Sequence, residues 1–193
     1  MRNKKILWLV RHGQTIENIE NICQGQTPGT LTEKGIAQMQ ELGENLSAQT
    51  FDIIYTSDLK RAVDSARLIC EMQQGPVRLI EDKRLRERYF GSFQGMKFPE
   101  DRTSFKYPDD VESFEQMGER LSSFLQDLLY SETDEHVLIV THGVALRVLL
   151  SLLLSGDTAQ TDYFPSLKNA SVTRVETENG KVTDLRFEPM NQK

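Results

Sequence analysis

Apolar residues in this chain fall into two kinds of run. Ile6 to Val10 and Val137 to Val140 are unbroken by any polar position. Each suits a strand buried on both faces, as in a parallel sheet covered by helices. Phe51 to Tyr55 reads as a second buried strand and Val77 to Ile80 as a short one. Elsewhere the apolar positions recur every three or four residues, which predicts helices with one buried stripe. These are Ile36, Met39, Leu42 and Leu46 after a Thr32 cap, and Leu59, Ala62, Val63, Ala66, Ile69 and Cys70 after a cap in Thr56-Ser57-Asp58. A third is Phe114, Met117, Leu121, Phe124, Leu125 and Leu128 within Glu112 to Tyr130. Val144 to Leu154 is apolar nearly all round, so it should be buried against the sheet, with its exception, Arg147, in a structural role. Val172 to Glu176 and Val182 to Phe187 flank Asn179-Gly180, a type I′ hairpin signal. The expected fold is α/β, with a mostly parallel central sheet and a C-terminal antiparallel hairpin.

With 193 residues of which 38% are hydrophobic, the chain is long enough for one domain with a substantial core. No apolar run reaches transmembrane length, and Met1 to Lys5 is followed by only five apolar residues, too few for a signal peptide. A soluble cytoplasmic protein without a membrane partner is expected, and a homodimer is left open. Cys23 and Cys70 are too few for a disulfide framework and lack metal-type spacing, so both should be reduced. The net charge of -6 argues against nucleic acid. It leaves room for an anionic small molecule, because arginines lining a cleft set the local potential.

The chemistry begins where the two longest apolar runs stop. One ends in Arg11-His12-Gly13-Gln14-Thr15 and the other in Thr141-His142-Gly143. Open α/β sheets place ligands beyond the carboxyl ends of their strands, so both histidines are delivered to the same rim. A single strand-end histidine reads as a core residue satisfied by a loop carbonyl; a second copy in the same setting argues for a shared substrate. Gln24 to Thr30 is a structured loop expected to line that site. Arg61 falls in the first turns of its helix, where the macrodipole disfavours a cation, and this asks for an anion shared with the helix. Leu85 to Gly95 mixes charges, aromatics and glycines without a period and reads as a functional loop. It leads into a mobile, lid-like excursion at about 91–112.

Two histidines and several arginines without a metal-ligand set point to an oxyanion, and phosphate fits best, since guanidinium donors match phosphoryl oxygens. For His12 to attack phosphorus its ring nitrogen must be unprotonated. Arg11, Arg61 and desolvation all push its pKa in that direction. Its other nitrogen must then donate to a fixed acceptor. A leaving alkoxide needs a proton, and Glu87, flanked by glycines and aromatics, is the candidate general acid.

These residues resemble the signature of the histidine phosphatase superfamily, also called the phosphoglycerate mutase-like family. The resemblance rests on Arg11-His12-Gly13-x-Thr15 with Asn18, Gln24-Gly25, Leu31-Thr32-x-x-Gly35 and Ser57-Asp58-Leu59-x-Arg61-Ala62. It continues through Leu85-Arg86-Glu87-x-x-x-Gly91-x-x-x-Gly95 to Thr141-His142-Gly143, in order and over nearly the whole chain. It implies a three-layer α/β/α sandwich and a covalent phosphohistidine on His12. It also implies a phosphate pocket of Arg11, Arg61 and His142 with Asn18 and Gly143, Gln24 and Gly25 at its rim, Glu87 as proton donor, and no metal or other cofactor.

Three features bear on the activity. Pro28 and Thr30 stand where the family commonly has an Asp and then a Pro before Leu31-Thr32. Val144-Ala145 replaces the polar pair of cofactor-dependent mutases, and their long insertion and C-terminal tail have no counterpart. Against this, Glu87-Arg88-Tyr89-Phe90-Gly91 resembles the mutase pattern, with Arg88 placed to grip a substrate carboxylate or second phosphate, and Lys97 lies one residue short of a mutase substrate lysine. The expected activity is metal-independent hydrolysis of a small phosphorylated metabolite. Phosphoglycerate mutase-type transfer and a catalytically weak phospho-ligand binding protein are the alternatives.

Overall fold

The computed structural model describes residues 3–101, 105–131 and 133–188. Its strands and helices alternate. β1 (Lys4–Arg11) is followed by a single helical turn, α1 (Ile16–Ile19), then α2 (Glu33–Leu46), β2 (Ile53–Thr56), α3 (Lys60–Glu71) and β3 (Arg78–Glu81). After a long excursion come α4 (Phe114–Tyr130), β4 (His136–Thr141), α5 (Gly143–Ser155), β5 (Val172–Glu178) and β6 (Lys181–Glu188). The six strands form one sheet in the order β3-β2-β4-β1-β5-β6. β3, β2, β4 and β1 run parallel, whereas β5 and β6 are antiparallel.

The unbroken apolar runs occupy the two central strands, as continuous burial on both faces requires. Leu7, Leu9, Val137 and Ile139 pack against α4 and α5 on one face, with Met117, Leu121, Phe124, Leu146 and Leu149. Trp8, Val10, Leu138 and Val140 pack against α2 and α3 on the other, with Met39, Leu42, Ala62, Ala66 and Ile69. This is a three-layer α/β/α sandwich. The alternation along a single strand sends successive side chains into two separate cores.

Local chemistry accounts for most element ends. Thr32 caps α2 by accepting from the Gly35 amide, and Ser113 caps α4 in a reciprocal box with Gln116. Asn179 and Gly180 both have positive φ, 51° and 74°, as the I′ turn between β5 and β6 demands. Arg147 donates to the Thr161 carbonyl and pairs with Asp162, tying α5 to the following loop.

Two expectations need correction. Ile36, placed on the buried stripe of α2, is 38% exposed, since the buried face of α2 runs through Gly35, Met39, Leu42, Gly43 and Leu46 instead. α3 does not begin at a polar cap. Its N-cap is Leu59, which has no side-chain bond, while Ser57 Oγ accepts the Leu59 amide and Asp58 turns away to a two-pronged ion pair with Arg86. The described part of the excursion is a packed unit: Phe93 stacks with Phe98, Phe105 and Tyr107, and Asp110 accepts from the Ser92 amide. Residues 102–104 of that excursion lie outside the described residues, as do residues 1 and 2 of the N-terminal stretch read as lacking a signal peptide. Among the described residues no helix is long and apolar enough to cross a membrane.

Candidate active site

Register builds the site. β1 and β4 pair so that Arg11 stands opposite Thr141, and the next residue on each strand is a histidine. His12 and His142 therefore lie side by side, with ring centroids 5.2 Å apart. Both are almost wholly buried. Burial is the largest influence holding each imidazole well below its usual pKa; Arg61 and Arg11 act the same way, and for His142 so do His12 and Arg120. Both rings are thus neutral.

The His12 ring is oriented from two sides. Nδ1 lies 2.7 Å from the Gly13 carbonyl, which can only accept, so Nδ1 carries the proton. Nε2 is left with a lone pair, which accepts from Arg61 Nε at 3.2 Å. The backbone behind it is fixed by Asn169, whose Nδ2 donates to the carbonyls of His12 and Gly13 at 3.1 and 3.2 Å. The same amide reaches Asn18 Oδ1 at 3.1 Å. Asn18 is also the third helical position of α1 and completes a capping box with Thr15, so its place is set by local hydrogen bonding.

Arg61 enters from the first turn of α3. It is 1% exposed and donates to the carbonyls of Gly25, Thr27 and Pro28 as well as to His12. Burial lowers its pKa to about 10, with Glu87 and Glu17 opposing that shift. At this value the guanidinium still carries its charge at neutral pH. Gly25 presents its carbonyl from a left-handed conformation, φ 51°, and a Cβ there would strike Gln94 Oε1 at 2.2 Å. Gln94 in turn accepts the Gln26 amide. Arg11 donates to the Leu167 carbonyl. A Cβ on Gly143 would lie 3.4 Å from its guanidinium carbon, so Arg11 lies over the start of α5.

Glu87 crosses to the same place from the excursion after β3. Its carboxylate accepts from the amides of Val144 and Ala145 at 3.1 Å each and from the Arg88 amide at 2.9 Å. Its charge opposes the burial-induced lowering of both the Arg11 and the Arg61 pKa. Around this centre several buried polar atoms have no partner among the described residues: both ring nitrogens of His142, Arg11 Nε and Gln24 Oε1. Buried polar atoms are nearly always bonded, and orphans gathered between two arginines and two neutral imidazoles mark a place built for an anionic ligand.

The structure thus gathers His12, His142, Arg11, Arg61, Asn18, Gly143, Gln24, Gly25 and Glu87. Arg88 is turned elsewhere. Its Nε donates to the Glu112 carbonyl at 2.7 Å, and its guanidinium lies over the rings of Phe114, Phe90 and Tyr107. Sequence reasoning passed over Asn169 and Ser65, whose Oγ accepts the Gly13 amide while donating to the Arg61 carbonyl. Both act on backbone groups, which carry no sequence signal; for Asn169 the neighbouring Ala170, at φ 59°, marks the tight bend only in three dimensions. Among the described residues no three His, Cys, Asp or Glu side chains converge to hold a metal ion.

Residues 7–188 match the model of the histidine phosphatase superfamily (branch 1). The chain is 36% identical over 172 residues to the uncharacterized phosphatase PhoE of Bacillus subtilis (strain 168), covering 87% of this chain and 86% of that protein. It is 37% identical over 163 residues to 2,3-bisphosphoglycerate-dependent phosphoglycerate mutase 2 of Gloeobacter violaceus, covering 75% and 74%. A mycobacterial glucosyl-3-phosphoglycerate phosphatase solved with VO3 superposes with a TM-score of 0.81 at 29% identity, over 97% of this chain and 98% of that one. The chain belongs to the histidine phosphatase superfamily, branch 1.

Proposed function

We propose that this protein is a metal-independent phosphomonoesterase that works through a phosphohistidine on His12, with a small phosphorylated metabolite as substrate. The observation that carries the reading is the state of His12: neutral, with Nδ1 bonded to the Gly13 carbonyl and the Nε2 lone pair facing a buried guanidinium. In this scheme a phosphoryl group bound by Arg11, Arg61 and His142, with Asn18 and the Gly143 backbone beside it, takes up the orphaned donors. As the phosphoryl oxygens take over the Arg61 guanidinium, Nε2 is released from its hydrogen bond, and its lone pair forms the N–P bond as the ester P–O bond breaks. Glu87, a carboxylate in the free site, takes up a proton from solvent as the phosphoryl dianion binds beside it and gives that proton to the departing alkoxide oxygen. The resulting carboxylate then takes a proton from water as the water oxygen attacks phosphorus, the P–N bond breaks, and inorganic phosphate leaves with both groups restored.

Hydrolysis is favoured over mutase transfer because a mutase must shield its phosphoenzyme from water. Here the first amides of α5 are engaged by Glu87, and apolar Val144 and Ala145 stand beside it. Arg88, the residue best suited to a second anionic group, is held by Glu112 and three rings. Gln24 and Gly25 line the rim of the phosphate pocket through their contacts with Gly29 and Arg61. The test is a panel of phosphomonoesters, including both phosphoglycerates with and without the bisphosphate, assayed with EDTA present. The reading expects phosphate release from at least one monoester, undiminished by EDTA. Interconversion of the phosphoglycerates at a rate above phosphate release from any member would overturn it in favour of the mutase.

A further inference from the structure

Residues 86–90 have no regular secondary structure, yet they deliver the Glu87 carboxylate to the start of α5. Much of their backbone is held by one ion pair. Arg120, in the second turn of α4, donates Nη1 to the carbonyls of Arg84 and Arg86 at 2.6 and 2.7 Å and Nη2 to the Glu87 carbonyl at 3.1 Å. Its remaining donors meet Glu112: Nε to Oε1 at 2.7 Å and Nη2 to Oε2 at 3.0 Å. Glu112 Oε2 also accepts the Tyr89 amide at 2.9 Å, and the Glu112 carbonyl takes Arg88 Nε. Positions 84, 86, 87, 88 and 89 are therefore all tied to Arg120 or Glu112. The opposite side of the Glu87 carbonyl is reached by Gln26 Nε2 at 3.1 Å, from the loop whose Gly25 carbonyl holds Arg61.

We propose that Arg120 is a positioning residue for proton donation, its forked guanidinium holding the backbone of residues 84–87 so that the Glu87 carboxyl meets the leaving oxygen. Three converging carbonyls and a carboxylate require several donors spread over one rigid plane, which an ammonium cannot supply. The platform is firm, because α4 buries Met117, Leu121, Phe124, Leu125 and Leu128 against the sheet. A proton donor displaced by as little as an ångström loses much of its effect, since general acid catalysis depends on hydrogen-bond reach. Arg120 touches no reacting atom in this scheme. Its effect passes through Glu87, and the inference rests on the reading of Glu87 as the acid.

Leaving-group dependence separates positioning from plain structural support. An alkyl phosphate expels a strongly basic alkoxide and needs the proton, whereas p-nitrophenyl phosphate expels a stable anion and needs it little. Phosphorylation is followed by single-turnover kinetics for wild type, Glu87→Gln, Arg120→Lys and the double variant. Glu87→Gln should lose about 10²–10⁴-fold on the alkyl ester and far less on the aryl ester. Arg120→Lys should lose about 10-fold or more on the alkyl ester and less than about threefold on the aryl ester, with the double variant no slower than Glu87→Gln, as for residues acting in one unit. Glu112→Gln, which keeps the side-chain shape but removes one acceptor, should show the same selectivity and serves if Arg120→Lys does not fold. Equal losses on both esters, or losses that add to those of Glu87→Gln, overturn the role of Arg120 alone. Absence of selectivity in Glu87→Gln itself overturns both this inference and the reading of Glu87.

Discussion

Arg61 Nε donates to His12 Nε2 across 3.2 Å, joining the start of α3 to the end of β1 through the lone pair that a nucleophile would use. A buried arginine facing an imidazole nitrogen has two effects. It keeps the ring neutral, and it places a fixed cation where negative charge collects when a phosphoryl group is transferred.

Replacing Arg61 therefore tests that clamp. Arg61→Ala should cost about 3–4 kcal/mol of transition-state stabilisation, on the scale of a preorganised donor to a developing charge, or roughly 10²–10³-fold in kcat. The loop carbonyls of Gly25, Thr27 and Pro28 lose their donor in the same variant. Arg61→Lys keeps the charge without the fork and should recover little. A change in kcat/KM below about threefold, roughly 0.7 kcal/mol, would remove Arg61 from the site.

The end of β1 is pressed against α2 through two glycines. A Cβ on Gly13 would lie 2.5 Å from the Gly35 carbonyl oxygen and 2.9 Å from Met39 Cγ, and the backbone oxygen is the part unable to move aside cheaply. Gly13→Ala should destabilise the fold by about 1–3 kcal/mol through overpacking. It should also displace the carbonyl that orients His12. Urea unfolding reads the first effect as a lower midpoint at unchanged slope; an unaltered midpoint would show that the strand end has room to spare.

Much of this arrangement can be read from residue types. Two uninterrupted apolar runs ending in His-Gly imply neighbouring buried strands, and the observed register of Arg11 with Thr141 then leaves little freedom in where the imidazoles meet. Asn179-Gly180 predicts its turn because few residues tolerate positive φ twice in succession. What escapes the sequence is recognition of backbone. Arg120 and Asn169 act mainly on backbone carbonyls, groups that every residue possesses, and their side-chain partners Glu112 and Asn18 are distant in sequence or unremarkable in type, so neither spacing nor composition reveals them. Arg88 is a different case: its neighbours in sequence suggest a substrate ligand, and its guanidinium lies over three aromatic rings that spacing alone does not bring to it. Ile36 shows that helical periodicity gives a stripe but not the width of the surface it meets.

The two buried imidazoles should govern stability in mildly acidic solution. Their pKa values are lowered on folding, so below about pH 6.5 the unfolded chain binds protons that the folded chain refuses. Stability is then highest above that pH and falls as pH drops beneath it. If both rings stay neutral when folded, the loss between pH 7.5 and 5.5 approaches about 3 kcal/mol. Asp58, held low chiefly by its hydrogen bond to Arg86, adds its own loss only below about pH 4. Denaturant unfolding in phosphate-free buffer at the two pH values measures this, and His12→Asn/His142→Asn should flatten the difference. An equal slope in the double variant would assign the pH dependence to other groups.

The proposed chemistry passes through a single bond between phosphorus and His12 Nε2, and trapping that bond is the most direct experiment. Enzyme is mixed with a substrate labelled in its phosphoryl group and quenched with base within one turnover, because a phosphohistidine survives alkali and is lost in acid. Stoichiometric, acid-labile label on the wild-type chain, mapped to His12 and absent from His12→Ala, is the predicted result. Label retained by His12→Ala, or turnover in that variant without any trapped phosphoprotein, would contradict the assignment of His12 as the nucleophile.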